Sequence, residues 1–445
     1  MRRILIIALL LSACMYGRGQ TMSLKDCIRL GIENNLTVAN ARIGVSKGHA
    51  GVSQNRARLL PSITGVLQFT DYLKRPVNVT SGTVLGNDFP DDPTWQTIRS
   101  MQYNVSTGIQ LNVPLYNQSI YAAIDVARTV EHLSHLSYDM AVEELTVQIG
   151  KVYYMAQASL EQASLAGENI ARMQELHAIT KAMFEQGIVL EVDLNRININ
   201  LRNLEARRDL LDMMYARQIN MLRFLMDLPP ETLLDVERMP DAVESSAPPG
   251  IISGLPELQA ARLQKKLIED RIRAVRAGYI PSVSFTGYAG ALGYQEKFSH
   301  FFHTRDSSRN WFGNCFVGLT VTVPIFDASS KKLQMRQLGY DMEQAVNREN
   351  QLMENIAREY SDALLQASHN IEVYDTQVQS YRQAMDVYKV TEEQYREGVA
   401  SMTAILQDEM QLRTAQAACV QAHCEFNLAR LDLLRLSGSL SLLTE

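Results

Sequence analysis

The distribution of proline most constrains what this chain can fold into. Its 13 prolines all lie outside two stretches, Leu115 to Leu228 and Ile325 to Glu445, which run for 114 and 121 residues. Proline removes a backbone donor and clashes with the preceding turn, so it breaks helices. Both stretches are therefore predicted to form long helices.

Each proline-free stretch is divided once by a glycine turn. The turns are "MFEQGIV" (183–189) and "QYREGVA" (394–400). We expect helices at 117–186 and 189–228 in the first stretch, and at 327–397 and 399–436 in the second. Apolar residues at heptad spacing predict coiled-coil packing, with Ile197, Leu204 and Leu211 in one helix and Ile405, Leu412 and Cys419 in the other.

Four segments outside these helices alternate polar and apolar residues with the period of a β-strand. We expect strands at 61–71, 101–115, 281–292 and 312–325. Such alternation fits a half-buried antiparallel sheet or a barrel facing lipid, and aromatic residues at the strand ends favour the barrel. The polar set is Ser62, Thr64, Gln110, Asn112, Thr320 and Thr322, and the flanking aromatics are Tyr72, Tyr103, Tyr116, Tyr294, Trp311, Phe312 and Phe326.

The chain also shows an internal repeat. "LLPSITGVLQFT" (59–70) corresponds to "GYIPSVSFTGYA" (278–289), and "NVPLYNQS" (112–119) corresponds to "TVPIFDAS" (322–329). Landmarks that recur in one order at nearly one offset indicate duplicated units. We expect a first repeat at 20–228, a linker at 229–254 and a second repeat at 255–445, each with a helix, two strands, a long helix and a shorter helix.

The N-terminus "MRRILIIALLLSAC" has the basic start and short apolar run of an export signal. Two processing sites remain open. Cleavage before Gln20 would remove residues 1–19, whereas lipidation of Cys14 would remove residues 1–13. Both predict a destination in the cell envelope.

Charge and reactive residues argue against several classes of function. The net charge of −6 without a basic run argues against nucleic-acid binding. No residues form a catalytic constellation, and no cofactor or metal site is predicted; His132 with His135 suits a solvated helix face, and "HFFH" (300–303) suits an extracellular loop. Four cysteines without metal spacing are interpreted as buried small apolar residues: Cys27, Cys315, Cys419 and Cys424.

Four strands cannot close a membrane barrel, because the smallest such barrels have eight. The chain must then oligomerise. Two copies would give eight strands and a filled lumen, whereas three would give twelve and room for a pore.

Three features together resemble the TolC family of outer-membrane efflux proteins. They are "SLKDCIRLGIENNLTVANARIGVSKGHAGVSQNRARLLPS" (23–62), the V-P-[LI]-[FY]-[ND] strand exits and the [FY]-x-x-G turns. The resemblance implies an α+β membrane protein: a homotrimer with a twelve-stranded β-barrel in the outer membrane, continued by an α-helical coiled-coil tunnel across the periplasm. It also implies an exit duct of tripartite efflux or type I secretion, joined by a periplasmic adaptor (membrane fusion) protein to an inner-membrane RND, ABC or MFS pump.

The resemblance also implies functional residues. Gly187, Ile188, Gly398 and Val399 match the periplasmic tip where adaptors dock, although the glycines are equally suited to be ordinary helix C-caps. Asp193 and Tyr395 match a gate that holds the tip closed. We expect the Tyr395 hydroxyl to donate to Asp193, against the alternative of a solvated carboxylate at a helix start.

The family's second-hairpin gate residues are only partly present. Ala400 stands where the family's type member has an arginine, and Ala404 and Gln407 stand where it has ring aspartates.

Two other functions remain as alternatives. A passive outer-membrane pore would not need long helices, and a non-transport periplasmic coiled-coil scaffold would not need strands.

Overall fold

The computed structural model of the protein describes residues 20–81, 95–240, 254–302 and 311–443. The predicted signal with Cys14, and residues 241–253 of the predicted linker, lie outside these ranges. The chain divides into two units, considered separately below. The first, the helical unit, contains residues 1–46, 132–264 and 344–445, and the second, the sheet unit, contains residues 47–131 and 265–343.

The described residues form seven α-helices and eight strands. The helices are α1 (Leu24–Asn34), α2 (Leu36–Ala57), α3 (Gln118–Glu185), α4 (Glu191–Leu225), α5 (Pro256–Ala277), α6 (Ser330–Arg396) and α7 (Met402–Leu436). The strands are β1 (Gln20–Met22), β2 (Ser62–Asp71), β3 (Val77–Ser81), β4 (Trp95–Arg99), β5 (Tyr103–Tyr116), β6 (Leu234–Val236), β7 (Ser282–Gln295) and β8 (Trp311–Thr322). Short 3-10 helices follow at Phe298–Phe302 and Leu440–Leu443.

Helices α3 and α6 are the longest elements, with 68 and 67 residues. At about 1.5 Å per residue, each corresponds to about 100 Å of helix. Asn117 caps α3, because its side-chain oxygen accepts from the Ser119 amide at 3.0 Å. Asp327 accepts from the Lys331 amide at 3.2 Å, and α6 begins three residues after it. No helix among the described residues is both long and apolar enough to cross a bilayer.

The helical segment between β1 and β2 is interrupted at Asn35, where the sequence predicted one continuous helix. The Asn35 side-chain oxygen accepts from the Thr37 amide at 2.8 Å and so caps α2. Its side-chain amide donates to the Leu225 carbonyl at 2.9 Å, at the end of α4. The Asn35 side chain therefore forms hydrogen bonds with the backbone at the start of α2 and at the end of α4. These bonds stabilise a helix break that the hydrophobic periodicity of the sequence does not reveal.

Strands β1 and β6 pair in parallel within the helical unit, with Gln20 opposite Leu234 and Met22 opposite Val236. Two tyrosines hold this pair against the helices. The Tyr153 hydroxyl donates to the Met22 carbonyl at 3.0 Å, and the Tyr215 hydroxyl donates to Asp235 at 3.2 Å. Part of the predicted linker is thus fixed to the apolar cluster that contains Cys27, Ile28, Ile149 and Leu222.

The apolar seam of the helices is buried as the heptads predicted, with one correction. Ile197, Leu204 and Leu211 are buried, but Cys419 is only half-buried. In α7 the buried positions instead advance by four residues, through Leu412, Gln416, Val420 and Cys424. A step of four exceeds the 3.6-residue turn, so the stripe rotates away from Cys419.

In the sheet unit, four antiparallel strands follow the order β2-β5-β7-β8, and β3 and β4 form a separate hairpin. Within the described residues, β2 and β8 are the edges of the larger sheet, each with one neighbour. The register places Ser62 opposite Asn112 and Thr64 opposite Gln110, and further along the sheet Gln110 opposite Tyr288. Polar residues predicted to share a face therefore do so.

The two faces of this sheet differ in chemistry. The polar face carries Ser62, Thr64, Gln110, Asn112, Thr286, Thr320 and Thr322. The apolar face carries Ile63, Leu67, Ile109, Leu111, Val317, Leu319 and Val321. Ile63, Leu67 and Val317 are each more than 70 % exposed in the single chain. Cys315 also lies on the apolar face and is exposed, which corrects the interpretation that it is buried.

Candidate functional site

The two predicted tip turns have the same backbone geometry. Gly187 and Gly398 adopt φ of 75° and 77°. At the first turn the Ile188 amide donates to the Met183 carbonyl at 2.9 Å, and at the second the Val399 amide donates to the Gln394 carbonyl at 2.8 Å. These are Schellman C-caps, for which glycine is favoured because it has no Cβ.

The residues after each glycine expose apolar side chains. Ile188 and Val399 are 61 % and 75 % exposed, and Leu190, just before α4, is 72 % exposed. No atom lies within 4 Å of a Cβ built at Gly187 or Gly398. Exposed apolar residues mark a contact surface for another protein where they join into a contiguous patch, so Ile188, Leu190 and Val399 are candidates for such a surface. Both readings of the glycines are compatible with this geometry: they cap helices, and they present Ile188 and Val399.

The predicted gate residues have other partners than the one expected. The Tyr395 hydroxyl lies 2.9 Å from Thr180 Oγ1, while Asp193 accepts from Arg196 at 3.2 Å. Tyr395 is 3 % exposed and Thr180 is fully buried. Burial raises the pKa of the Tyr395 hydroxyl, the Thr180 hydrogen bond lowers it, and the nearby Asp193 carboxylate raises it further. Asp193 is thus a neighbour of Tyr395, but Thr180 is its bonding partner.

Two contacts connect α6 to α3 near the turns, and sequence reasoning missed the α3 residue of each. Tyr395 binds Thr180, and the adjacent Arg396 lies 2.6 Å from Glu175 and 2.9 Å from Glu392. Arg396 and Glu175 are about half exposed, so this ion pair contributes little, in the range of about 0 to 1 kcal/mol. The buried hydroxyl pair is the stronger link between the hairpins α3–α4 and α6–α7.

An apolar cluster surrounds the Tyr395 hydroxyl pair. It draws Met173 and Leu176 from α3, Ile197 from α4, and Tyr388 from α6, and α7 contributes Met402, Ile405 and Leu412. Tyr388 is 2 % exposed. All four long helices therefore meet at this level of the helical unit. A change in any of them would be transmitted to the others through packed side chains.

A buried polar cluster lies farther from the turns, between α3 and α7. Glu409 and Gln416 are 3 % and 2 % exposed. The Asn169 side-chain amide donates to Gln416 at 3.0 Å, and Glu409 lies 2.9 Å from Arg413 Nε. Burial raises the pKa of the Glu409 carboxyl, and Arg413 and Arg172 oppose that rise. Burying a carboxylate is costly, so we expect the protonation state of Glu409 to affect the stability of this helix pair.

The apolar face of the sheet ends in aromatic side chains. Phe69 stacks on Tyr103 with ring centroids 5.9 Å apart, and Phe298 meets both rings edge-on at 5.5 and 6.0 Å. Trp311 lies on the same face, opposite Gly293. At the other end of β5, a register shift between Pro114 and Tyr116 turns Tyr116 onto the apolar face. Such irregularities re-aim a side chain at a strand end.

Two aromatics expected to flank the apolar face lie on the other side. Phe312 pairs with Leu292, which places Phe312 on the polar face, and Tyr294 shares that parity. Their rings are 6.1 Å apart. The sequence interpretation placed all seven aromatics at strand ends, where an interfacial girdle would lie, and the register puts Tyr294 and Phe312 on the polar face instead.

No group of three or more metal-binding side chains occurs among the described residues. His132 and His135 are exposed on α3. His303 and the side chain of His300 lie outside the described residues.

Burial raises the pKa of the Cys27 thiol to about 12 and that of Cys424 to about 11, which keeps both thiols protonated and unreactive.

Comparison with known proteins links these features to a family. The model of the outer membrane efflux protein family matches residues 28–225 and 251–439. The probable efflux pump outer membrane protein TtgC of Pseudomonas putida is 21 % identical over 412 residues, covering 89 % of this chain and 79 % of TtgC. The pyoverdine export outer membrane protein OpmQ of Pseudomonas aeruginosa is 20 % identical over 317 residues, covering 68 % of this chain and 62 % of OpmQ.

Solved structures share the fold. The CmeC outer membrane channel of Campylobacter jejuni superimposes with a TM-score of 0.73 at 16 % identity, covering 94 % of this chain and 86 % of CmeC. The outer membrane protein VceC of Vibrio cholerae superimposes with a TM-score of 0.71 at 14 % identity, covering 93 % of this chain and 96 % of VceC. The chain therefore belongs to the outer membrane efflux protein family, whose members are channel proteins of the outer membrane with a periplasmic helical tunnel rather than enzymes.

Proposed function

We propose that three copies of this chain form the outer-membrane exit duct of a tripartite efflux system. The observation that carries the proposal is the four-stranded sheet, whose apolar face is exposed and whose edge strands β2 and β8 each have one neighbour in the part of the chain that the structure describes. An open sheet edge presents unpaired backbone donors and acceptors, which a membrane protein satisfies by closing a barrel. Pairing β8 of one copy with β2 of the next closes twelve strands.

The apolar face has suitable dimensions for a bilayer. Tyr103 and Tyr116, at the two ends of β5, are thirteen residues apart, which is about 43 Å at 3.3 Å per residue. A strand tilt of about 40° reduces this to about 33 Å along the membrane normal. That height holds an apolar band of about 25 Å with an aromatic ring at each border. The polar face then lines the lumen.

Beyond the barrel, α3, α4, α6 and α7 would contribute four helices per copy to a tunnel wall. The exposed apolar residues Ile188 and Val399, presented by Gly187 and Gly398, would form the docking tip for a periplasmic adaptor. That adaptor would connect the duct to an inner-membrane pump of the RND, ABC or MFS class. The hydrogen bond between the Tyr395 and Thr180 hydroxyls would hold the tip closed, and the Asp193 carboxylate would place a negative charge near Tyr395.

The substrates are proposed to be small organic molecules. Relatives carry the names antibiotic, toluene and solvent efflux pump outer membrane protein, all from Pseudomonas putida, and OpmQ is named for pyoverdine export. Protein export by a type I system is the second candidate function. It would use the same duct with a different pump.

Deletion of the gene tests the proposal. We expect the deletion strain to become sensitive to a subset of a panel of small organic toxins, and the wild-type gene to restore resistance. Heat-resistant trimers recovered from outer-membrane fractions would exclude a soluble scaffold. An Ile188→Asp variant that inserts normally yet fails to restore resistance would exclude a passive pore, because a passive pore needs no adaptor. Unchanged sensitivity across the panel would contradict the efflux function.

A further inference from the structure

Four aromatic side chains share the polar face of β7 and β8. The register pairs Tyr288 with Phe316, and Tyr294 and Phe312 have the same parity. Tyr288 and Phe316 are stacked, with ring centroids 5.6 Å apart and an interplanar angle of 22°. Phe312 and Phe316 are 54 % and 52 % exposed. We call these four residues the aromatic track.

A glycine pair makes room for Tyr288. Gly108 and Gly290 are opposite each other in β5 and β7, and the Tyr288 hydroxyl lies 2.7 Å from where a Cβ on either would be. The hydroxyl also contacts Ser106 Oγ at 3.2 Å and donates to the Thr107 carbonyl at 3.3 Å. The ring is therefore held along the sheet, over backbone that carries no side chains. Its orientation is fixed before any solute arrives.

Charge does not compete with the rings on this face. Within β2, β5, β7 and β8, the single acidic or basic residue is Asp71, which pairs with Tyr103 and lies on the apolar face. The polar face of β2 and β5 carries hydroxyl and amide side chains, such as Thr64, Gln110 and Asn112, together with the uncharged Val66 and Gly108. A passing molecule would meet neutral hydrogen-bonding groups on one half of the sheet and aromatic rings on the other.

We propose that the aromatic track binds planar aromatic solutes in transit by stacking. The inference rests on the proposed function, in which the polar face lines the lumen. Aromatic rings attract one another in offset-stacked and edge-on arrangements, and they attract organic cations through their π-faces. In a trimer the track would occur three times around the lumen. The preferred cargo is thus a neutral or cationic aromatic molecule.

Single-channel recording on purified trimers in planar bilayers tests this inference. The probes are ethidium, an aromatic cation, and tetraethylammonium, a non-aromatic cation of the same charge. The test variant is Phe312→Leu with Phe316→Leu, which keeps apolar bulk and removes both exposed rings. The control is Phe285→Leu, which removes a ring from the apolar face. We expect the test variant to shorten ethidium blocking events about tenfold, which corresponds to about 1.4 kcal/mol, and to leave tetraethylammonium events and basal conductance unchanged.

Three results would overturn the inference: ethidium events of unchanged duration, an equal change for tetraethylammonium, or an equal effect of Phe285→Leu. Each of these results is compatible with an intact pore, which the measurement of basal conductance would show. Trimers without any conductance would instead contradict the proposed duct, and the inference with it. Saturation-transfer NMR with ethidium on detergent-solubilised trimers gives a second readout that needs no open tip. Equal saturation transfer to ethidium from the wild type and from the test variant would also overturn the inference.

Discussion

The hydroxyl of Tyr395 lies 2.9 Å from Oγ1 of Thr180, and both side chains are buried. Tyr395 belongs to α6 and Thr180 to α3, so the contact joins the two helical hairpins a short distance from their glycine turns. A buried hydroxyl without a partner costs about 1 to 3 kcal/mol. Separating the hairpins at this level would leave both hydroxyls without their present partner.

Tyr395→Phe should weaken closure of the duct. The change leaves the buried Thr180 hydroxyl without this partner, and threefold symmetry would repeat the loss at three positions. We expect variant trimers in a planar bilayer to have a higher open probability than wild type. Tyr388→Phe is the matched control, because it removes a hydroxyl from the same cluster without breaking the Thr180 contact. An equal effect of both variants, or no effect of either, would assign Tyr395 to packing alone.

Ile188→Asp and Val399→Asp should abolish efflux while trimers remain in the outer membrane. Both side chains are exposed, so a charge there costs little folding stability but disrupts an apolar contact with an adaptor. Resistance in a complemented deletion strain and trimer abundance are the two measurements. Ile188→Leu and Val399→Leu are controls that keep the apolar surface and should retain resistance. Full activity of the Asp variants would remove these residues from the docking surface.

The buried Glu409 predicts a pH-dependent stability of the helical unit. Because burial raises the pKa of this carboxyl above its usual 4.5, its contribution to stability is fully present below pH 4.5 and is lost as pH rises through the folded-state pKa. We expect the melting temperature of Glu409→Gln, relative to wild type, to shift upward as pH rises from 4 to about 7. Wild type and variant with parallel pH profiles would show that Glu409 does not titrate in this way.

Cys315 offers a native reporter of the apolar face. It is exposed there, whereas burial raises the pKa of Cys27, Cys419 and Cys424. In outer-membrane trimers, a lipophilic pyrene maleimide should label Cys315, and a membrane-impermeant maleimide should not. In a Cys315→Ser background, Asn314→Cys on the polar face should show the opposite preference, because adjacent strand residues point to opposite faces. Labelling of Cys315 by the impermeant reagent would reverse the face assignment.

Patterns that repeat along a whole element could be predicted from the sequence. The long helices occupy the stretches without proline, and alternation placed Ser62, Thr64, Gln110 and Asn112 on one face. Single-residue features could not be predicted in this way. The break at Asn35 depends on a bond to the Leu225 carbonyl, 190 residues away, and Tyr116 faces the apolar side because of a local register shift.

The same limit applies to the candidate gate. Asp193 and Tyr395 were predicted from resemblance, and the structure brings them near each other. Thr180 has no sequence signal of its own, because a threonine within a long helix is unremarkable until a tyrosine from another helix reaches it. Tyr294 and Phe312 were assigned to a girdle by position at strand ends. Only the strand register shows that their parity differs from that of Trp311.

The comparison of Leu111→Lys with Gln110→Lys tests the central claim most directly. The two residues are adjacent in β5 and lie on opposite faces of the sheet. A lysine near the middle of the lipid face of a barrel costs about 2 to 4 kcal/mol, whereas a lumen site accepts it. The measurement is the amount of heat-resistant trimer in outer-membrane fractions. The account predicts that Leu111→Lys depletes the trimer and Gln110→Lys does not, and equal amounts of trimer from both variants would contradict it.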